Sequence, residues 1–263
     1  MLIAVPDPQS PQVTWDELFN AVEAAAASWT DAGASCGGGL QFRVAKTNAS
    51  GLGAQDDGVN AVIFRRANYC DSQSSSPRCD PLSLAITWLY NVNQTSDPSD
   101  GTISGIDIEV NAESYQWAAP GDGTGRTNDL QSMLVHELGH ALGLDHNCYQ
   151  AGLGLPRPTD DQGNAAPDCA SAAPDVAASV MFPRASYTTL RTTLASDDVR
   201  GVCSIFSGPQ PSRCIGRLTP ASGCTVAGHP SASGGPLWIL SFLIVVVTRP
   251  MGKRRCRARR FSA

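Results

Sequence analysis

The stretch "HELGHALGLDH", residues 136–146, holds three of the four histidines of this 263-residue chain. It overlaps a set of apolar residues at helical spacing, namely Leu130, Met133, Leu134, Leu138, Ala141 and Leu142. This pattern predicts a helix that is capped at Asn128 or Thr127. Residues four apart share one face of a helix, so His136 and His140 should project side by side as two ligands of one metal ion.

The third histidine can join them only if the helix ends. On a continued helix, His146 would lie about 9 Å further along the axis than His140 and on another side. Gly143 occupies the place where a left-handed residue commonly ends a helix. The sequence therefore predicts a turn at Gly143 that brings His146 back toward the first two rings.

Three imidazoles and one carboxylate suit a particular chemistry. Three neutral imidazoles leave one open position on a tetrahedral zinc ion, which is typical of catalytic rather than structural sites. Glu137 follows the first ligand and can act as general base for a water that attacks a carbonyl carbon polarised by zinc. We predict Zn²⁺ as cofactor, with His136, His140 and His146 as ligands and Glu137 as the catalytic residue. The alternative is that these histidines are solvated or packed in a core without metal.

These residues carry a family resemblance. The segment fits the metzincin signature HExxHxxGxxH and is most similar to the matrixins, the clan of the matrix metalloproteinases and their short bacterial relatives. The resemblance implies a methionine turn in "SVMFP", with Met181 as an apolar floor below the zinc. It also implies a closing helix in "LASDDVRGVCSIF", in which the pair Asp197 and Asp198 ties the helix to that turn.

The resemblance extends to the substrate. It implies that "LSLAITW", residues 82–88, is the edge strand of the cleft, where an extended peptide pairs through main-chain hydrogen bonds. Leu84 and Ala85 would approach the substrate most closely, and Pro183 of the methionine turn would also contact it. We expect extended peptide or protein substrates and a monomeric enzyme. The competing hypothesis is a non-enzymatic adhesion or binding module that keeps a zincin scaffold.

The chain departs from the animal matrixins at several points. Only His229 remains for a second, structural zinc, so we expect that site to be absent. Ala185 replaces a tyrosine that shapes the S1′ pocket. "PRCDP", residues 77–81, resembles the inhibitory cysteine motif of matrixin propeptides, but its position between strands favours a disulfide for Cys79.

Calcium is a further expected cofactor. The Asp-rich loops around Asp97, Asp100 and Asp107 offer carboxylate oxygens, although no EF-hand pattern is present.

The other elements predict an α+β fold of the zincin or metzincin type. Thr14 and Glu17 form a capping box ahead of an amphipathic helix. Four strands are expected at 40–45, 60–65, 82–90 and 105–111. We predict a twisted mixed sheet with an N-terminal, an active-site and a C-terminal helix, rather than a parallel βαβ series.

Six cysteines lie in the expected globular part, and none forms a CxxC pair. They favour disulfides and an oxidising compartment over the alternative of reduced structural thiols. Short loops favour Cys70 with Cys79 and Cys148 with Cys169, which leaves Cys36 for Cys203.

Charge divides the chain unevenly. Residues 1–248 hold all 24 acidic but only 12 of the 19 basic residues, and the rest of the basic residues lie in 249–263. An acidic body argues against a nucleic-acid partner. We divide the chain into an N-terminal extension (1–12), a zinc protease domain (13–208), a Pro/Ser/Gly-rich linker (209–236), a short membrane or sorting segment (237–248) and a basic cytoplasmic tail (249–263).

The apolar run at 237–248 is short for a membrane span. Twelve residues rise about 18 Å as a helix, against a hydrocarbon core of about 30 Å. A buried core helix is the alternative. With Cys224 before the run and arginines after it, the order resembles the C-terminal sorting segments of myxobacterial surface proteins. We expect an extracellular or bacterial cell-surface location, reached through a leader that this sequence does not show.

Overall fold

The computed structural model describes residues 1–74, 78–93, 101–121, 127–151, 157–159, 163–183, 190–206 and 259–262. Eight strands are described: β1 (Leu2–Pro6), β2 (Arg43–Thr47), β3 (Ala61–Arg65), β4 (Ala85–Asn91), β5 (Ile103–Asn111), β6 (Trp117–Ala118), β7 (Asn128–Asp129) and β8 (Arg259–Ser262). The helices in the same ranges are α1 (Trp15–Ser35), α2 (Leu130–Ala141), α3 (Pro174–Ala178) and α4 (Ser196–Phe206).

The main sheet is mixed, with the order β2-β1-β3-β5-β4-β8. Its first four strands are parallel, while β4 runs antiparallel to β5 and β8 antiparallel to β4. This sheet and its helices are compatible with a zincin-like fold. The expectation against parallel βαβ units is wrong at the start of the chain, because α1 connects the parallel strands β1 and β2.

The N-terminal residues differ from the sequence interpretation, which placed 1–12 outside the domain. Residues 2–6 form β1, between β2 and β3, and both Ile3 and Val5 are fully buried. The alternation of these two side chains was too short a signal to distinguish a strand from an extension. The folded domain therefore includes the first residues of the chain.

Helix α1 positions the helix that carries the histidines. Its predicted capping box is present, since the Thr14 hydroxyl accepts from the Glu17 amide and the Glu17 carboxylate accepts from the Thr14 amide. The buried Trp29 donates its indole N–H to the carbonyl oxygen of Val135 at 2.7 Å. This bond and the surrounding apolar contacts hold α1 against α2.

Strand β5 is buried on both faces. Ile106, Ile108 and Val110 face the main apolar core, as their alternation predicts. On the opposite face, Glu109 is fully buried and bonds to Arg65 and to the Trp88 indole. Buried carboxylates need such partners, because an unpaired buried charge is costly.

The three disulfides join the cysteines that the sequence favours: Cys36–Cys203, Cys70–Cys79 and Cys148–Cys169. The first ties the end of α1 to α4. Disulfides of this kind are compatible with an extracellular location.

The predicted tail has a limited structural counterpart. Within the ranges given above, no helix is both long and apolar enough to cross a bilayer. The linker, the apolar run at 237–248 and Cys224 lie outside the described residues. Of the basic tail, residues 259–262 form β8 on the edge of β4.

Candidate metal centre

Helix α2 begins one or two residues later than predicted. Its N-cap is Asp129, whose carboxylate accepts from the Ser132 amide at 2.7 Å, and not Asn128 or Thr127. Asn128 and Asp129 pair with Trp117 and Ala118 in a two-residue parallel ladder, which fixes the chain direction before the helix. That long-range pairing selects among adjacent residues that can all cap a helix.

The helix ends as predicted. Gly143 has φ +92°, a left-handed conformation that L side chains rarely adopt. Its amide donates to the His140 carbonyl at 2.9 Å, and the Leu144 amide donates to the Gly139 carbonyl at 3.1 Å. These two bonds form a Schellman motif. The chain therefore reverses within three residues and returns His146 toward the helix.

The three rings meet at their Nε2 atoms. His140 Nε2 lies 3.1 Å from His136 Nε2 and 3.2 Å from His146 Nε2. In the part of the chain that the structure describes, these histidines form the one group of three or more potential donors that could hold a metal ion.

The tautomers of the helix histidines are set by carbonyl oxygens. His136 Nδ1 lies 2.7 Å from the Val180 oxygen, and His140 Nδ1 lies 2.8 Å from the Leu144 oxygen. Because a carbonyl can only accept, both Nδ1 atoms carry the proton and both Nε2 atoms present a lone pair. Two lone pairs at 3.1 Å repel each other, so the arrangement calls for a cation. Ligands of a tetrahedral zinc at the usual Zn–N distance lie about 3.3–3.4 Å apart, so the spacing fits zinc.

Burial keeps the rings neutral. It lowers the pKa of His136 to about 4 and that of His146 to about 3, and it places the pKa of His140 well below its ordinary value. Metal ligands must be deprotonated. The site is therefore in its ligating form at neutral pH.

Met181 lies against the helix that carries two of the histidines, and its role as an apolar floor below the zinc stays a prediction. It is buried, and its sulfur lies against Gly139, between the two helix ligands. A Cβ at position 139 would collide with that sulfur and would lie 2.9 Å from Cζ2 of Trp29. Glycine is therefore required at this turn of α2 for the methionine floor to approach.

The turn containing Met181 is held by Asp198 of α4. The buried Asp198 carboxylate accepts from the Ser179 hydroxyl and from the amides of Val180, Met181 and Ala195. The Val180 carbonyl in turn accepts a hydrogen bond from His136 Nδ1. Of the predicted aspartate pair, only Asp198 makes this connection, because Asp197 faces solvent and bonds to Arg200 at 2.9 Å.

Glu137 directly follows the first ligand in the sequence and is fully buried. Its Oε2 accepts from the Thr87 hydroxyl at 2.6 Å, while Oε1 has no hydrogen-bond partner among the described atoms. Burial raises the pKa of Glu137 to about 8, and the Thr87 hydrogen bond offsets part of that rise. Sequence reasoning missed Thr87. Its signal was a polar residue at an inward position of an apolar strand.

The proposed substrate residues lie along β4 and the methionine turn. Ala85 and Pro183 are buried, Leu84 is half-buried, and the Leu84 carbonyl accepts from Asn111 of β5. The other edge of β4 pairs with β8, with Thr87 opposite Phe261. Substrate contact by Leu84, Ala85 and Pro183 stays a prediction, and Ala185 lies outside the described residues.

The calcium prediction has little structural counterpart. Asp107 uses both carboxylate oxygens to accept from the Gln55 and Ala61 amides, and burial raises its pKa to about 7. Asp97 and Asp100 lie outside the described residues. Cys79, whose surrounding sequence resembles the inhibitory cysteine motif, forms a disulfide with Cys70, as its position between strands favours.

Comparison with known proteins gives a partial likeness. No protein-family model matches the chain. Over 83 residues, 31% of this chain, the sequence is 34% identical to the macrophage metalloelastase of Oryctolagus cuniculus. The match spans only 12% of that protein. This likeness to part of a metalloprotease agrees with a three-histidine group that could hold a metal ion.

Proposed function

We propose that this protein is a zinc-dependent metalloendopeptidase of the matrixin-like metzincin type, which hydrolyses peptide bonds of extracellular proteins. One observation carries the proposal. Three neutral histidine nitrogens converge, and the residue that follows the first of them carries a buried carboxylate oxygen that has no partner among the described atoms. A structural site would instead offer a fourth protein ligand.

The residues divide the chemistry among them. When bound, zinc would supply Lewis acidity that polarises the peptide carbonyl and acidifies a water molecule. His136, His140 and His146 would hold the ion. Glu137 Oε1 would take the proton of the attacking water and later deliver it to the leaving amine.

The substrate would lie along β4. An exposed strand edge binds an extended peptide through main-chain hydrogen bonds. Residues 86–89 of β4 pair with β8 in the structure, so a peptide on this edge would take the place of β8. Leu84, Ala85 and Pro183 would contact the residues around the scissile bond, and the disulfides suit work outside the cell.

The proposal is tested with the zinc-loaded full chain and a casein-type protein substrate. Glu137→Gln should retain one zinc per chain and lose about 10²–10⁴-fold in kcat. Glu23→Gln is the matched control, because Glu23 is exposed on α1, and it should cleave like the parent.

Two outcomes would contradict the proposal. Full activity in Glu137→Gln would show that the base is misassigned. A parent protein that holds zinc but cleaves nothing across a mixed peptide library would instead support the adhesion or binding module.

A further inference from the structure

Thr87 lies where the strand proposed to bind substrate contacts the carboxylate proposed to move a proton. It is fully buried in the middle of β4, opposite Ile108 of β5. Its hydroxyl oxygen lies 2.6 Å from Glu137 Oε2 and 3.1 Å from the Glu137 carbonyl oxygen. Both of these oxygens are acceptors when the carboxylate is ionised, so the single hydroxyl proton goes to one of them. The shorter distance selects Oε2.

The surroundings give no other reason for a hydroxyl at this position. On a strand, alternate residues share a face, and the neighbours of Thr87 on its face are the buried apolar residues Ala85 and Leu89. Valine has the same branched shape and would fill the same space. Burying a hydroxyl costs free energy unless it is hydrogen-bonded. The use of threonine is therefore explained by Glu137.

The hydrogen bond makes the two carboxylate oxygens unequal. Oε2 is held by Thr87, while Oε1 is buried and unpartnered. A carboxylate without such a bond could rotate and exchange its oxygens. With the bond, one defined oxygen is left for a proton from water.

We propose that Thr87 is a positioning residue for Glu137: its hydroxyl holds Oε2 and thereby presents Oε1 as the proton acceptor. This inference rests on the proposed peptidase function. Thr87 belongs to β4 itself, so peptide pairing along this strand and orientation of the base depend on the same residue.

The test compares Thr87→Val and Thr87→Ser in the zinc-loaded full chain. Thr87→Val removes only the hydroxyl, and we expect kcat to fall about 10–100-fold, as for other residues that orient a catalytic group. KM should change by less than about twofold, because the β4 backbone is retained. Thr87→Ser restores the hydroxyl and should return kcat to within about threefold of the parent. Thr47→Val, on β2, is the matched control.

A second measurement does not depend on activity. If Thr87 and Glu137 interact as described, the losses in Tm from Thr87→Val and Glu137→Ala should not be additive in the double variant, because each substitution removes one partner of the hydrogen bond. Additive losses in Tm would overturn the inference.

The kinetic outcomes separate this inference from the proposed function. The positioning role would be overturned if the parent is active and Thr87→Val is equally active. It would also be overturned if Thr87→Ser is as slow as Thr87→Val. A rise in KM alone would place Thr87 in substrate binding instead. An inactive parent would overturn the proposed function, and the Tm measurements would still decide whether Thr87 and Glu137 interact.

Discussion

The metal centre is built from two regions of different character. Helix α2 carries His136 and His140 at fixed helical spacing and is covered by α1 and β4. The segment from Leu144 to Pro183 carries His146 and Met181, and it contains no described helix longer than the five residues of α3. It is held by separate ties: the Cys148–Cys169 disulfide and the bonds from Asn147 to Met181 and Val176.

The difference teaches how each ligand depends on the rest of the fold. The spacing of the two helix ligands needs only the helix, whose hydrogen bonds are local, although the Val180 carbonyl also orients the His136 ring. The position of the third ligand depends on the turn at Gly143 and on a segment that is held by a disulfide and by bonds to residues up to 35 positions further along the chain. We therefore expect substitutions in the disulfide and hydrogen bonds that hold this segment to weaken metal binding. Substitutions elsewhere that lower the unfolding free energy by the same amount should weaken it less.

The largest effect is expected at Asp198. Asp198→Asn replaces one of the two acceptor oxygens with an NH₂ donor that faces buried donors and removes the negative charge, which should cost on the order of 4 kcal/mol in unfolding free energy. It also releases the Val180 carbonyl that orients His136, so zinc affinity should fall about 10–100-fold. Denaturant unfolding and a competitive zinc chelator measure the two quantities. Asp197→Asn is the control, and equal losses in both variants would contradict the role of Asp198.

Removal of a disulfide comes next. The double variant Cys148→Ser, Cys169→Ser should lose about 3 kcal/mol of stability, as the entropy of its loop predicts. The double variant Cys70→Ser, Cys79→Ser should lose a similar amount, because loop length enters only logarithmically. Only the first should weaken zinc binding, since only its loop follows His146. Equal zinc affinities in both variants would show that the segment is placed without its disulfide.

A smaller effect is expected at the turn between the two regions. Gly143→Ala forces a Cβ into a left-handed conformation, at a cost of about 1–2 kcal/mol. Gly51 has φ +76° with no neighbour near its missing Cβ, so Gly51→Ala carries a similar strain in a loop away from the site. Thermal unfolding should show similar losses, and zinc titration should show weaker binding only for Gly143→Ala. Unchanged zinc affinity in Gly143→Ala would show that the return of His146 does not depend on this turn.

The smallest effect is expected from mild acid, which should not distinguish the two regions. The pKa values of His136 and His146 are lowered alike, to about 4 and about 3. Zinc affinity should therefore change by less than about twofold between pH 7.5 and 6.0, whereas three ordinary histidines would lose about 50-fold. A loss of that size in a zinc titration would show that the rings are not buried in solution.

Lower pH should destabilise the metal-free protein. The unfolded chain takes up protons on these histidines below about pH 6.5, while the folded chain does so only near pH 4. Their contribution to stability is therefore complete above about pH 6.5 and is lost as the pH falls toward 4. Glu137 acts in the opposite sense, because burial raises its pKa to about 8. Its contribution to the stability of the metal-free protein is lost as the pH rises from about 4.5 through 8.

The sequence predicted best what depends on local spacing. The convergence of the three histidines follows from helical periodicity and from one glycine that requires positive φ. Strand β5 follows from the alternation of apolar and polar residues, strands β3 and β4 follow from short apolar runs, and the disulfide pairs follow largely from short loops.

Features that depend on distant partners were not predicted. Asp129 rather than Asn128 or Thr127 caps α2 because Asn128 and Asp129 pair with Trp117 and Ala118. No local sequence pattern shows that pairing. The choice of Asp198 over Asp197 is a matter of how α4 is rotated against the methionine turn. The contact between Thr87 and Glu137 depends on the packing of β4 against α2. Strand β1 likewise depends on pairing with its two neighbours in the sheet.

Trp29 gives the metal centre a built-in optical reporter. Its indole is bonded to the Val135 carbonyl and lies close to Gly139, beside the Met181 sulfur. The asymmetric surroundings of the indole generate a near-ultraviolet circular dichroism signal. A shift of Met181 against α2 should change this signal, and no added dye is needed to measure it. The difference between the parent and Trp29→Phe spectra assigns that band to this one ring.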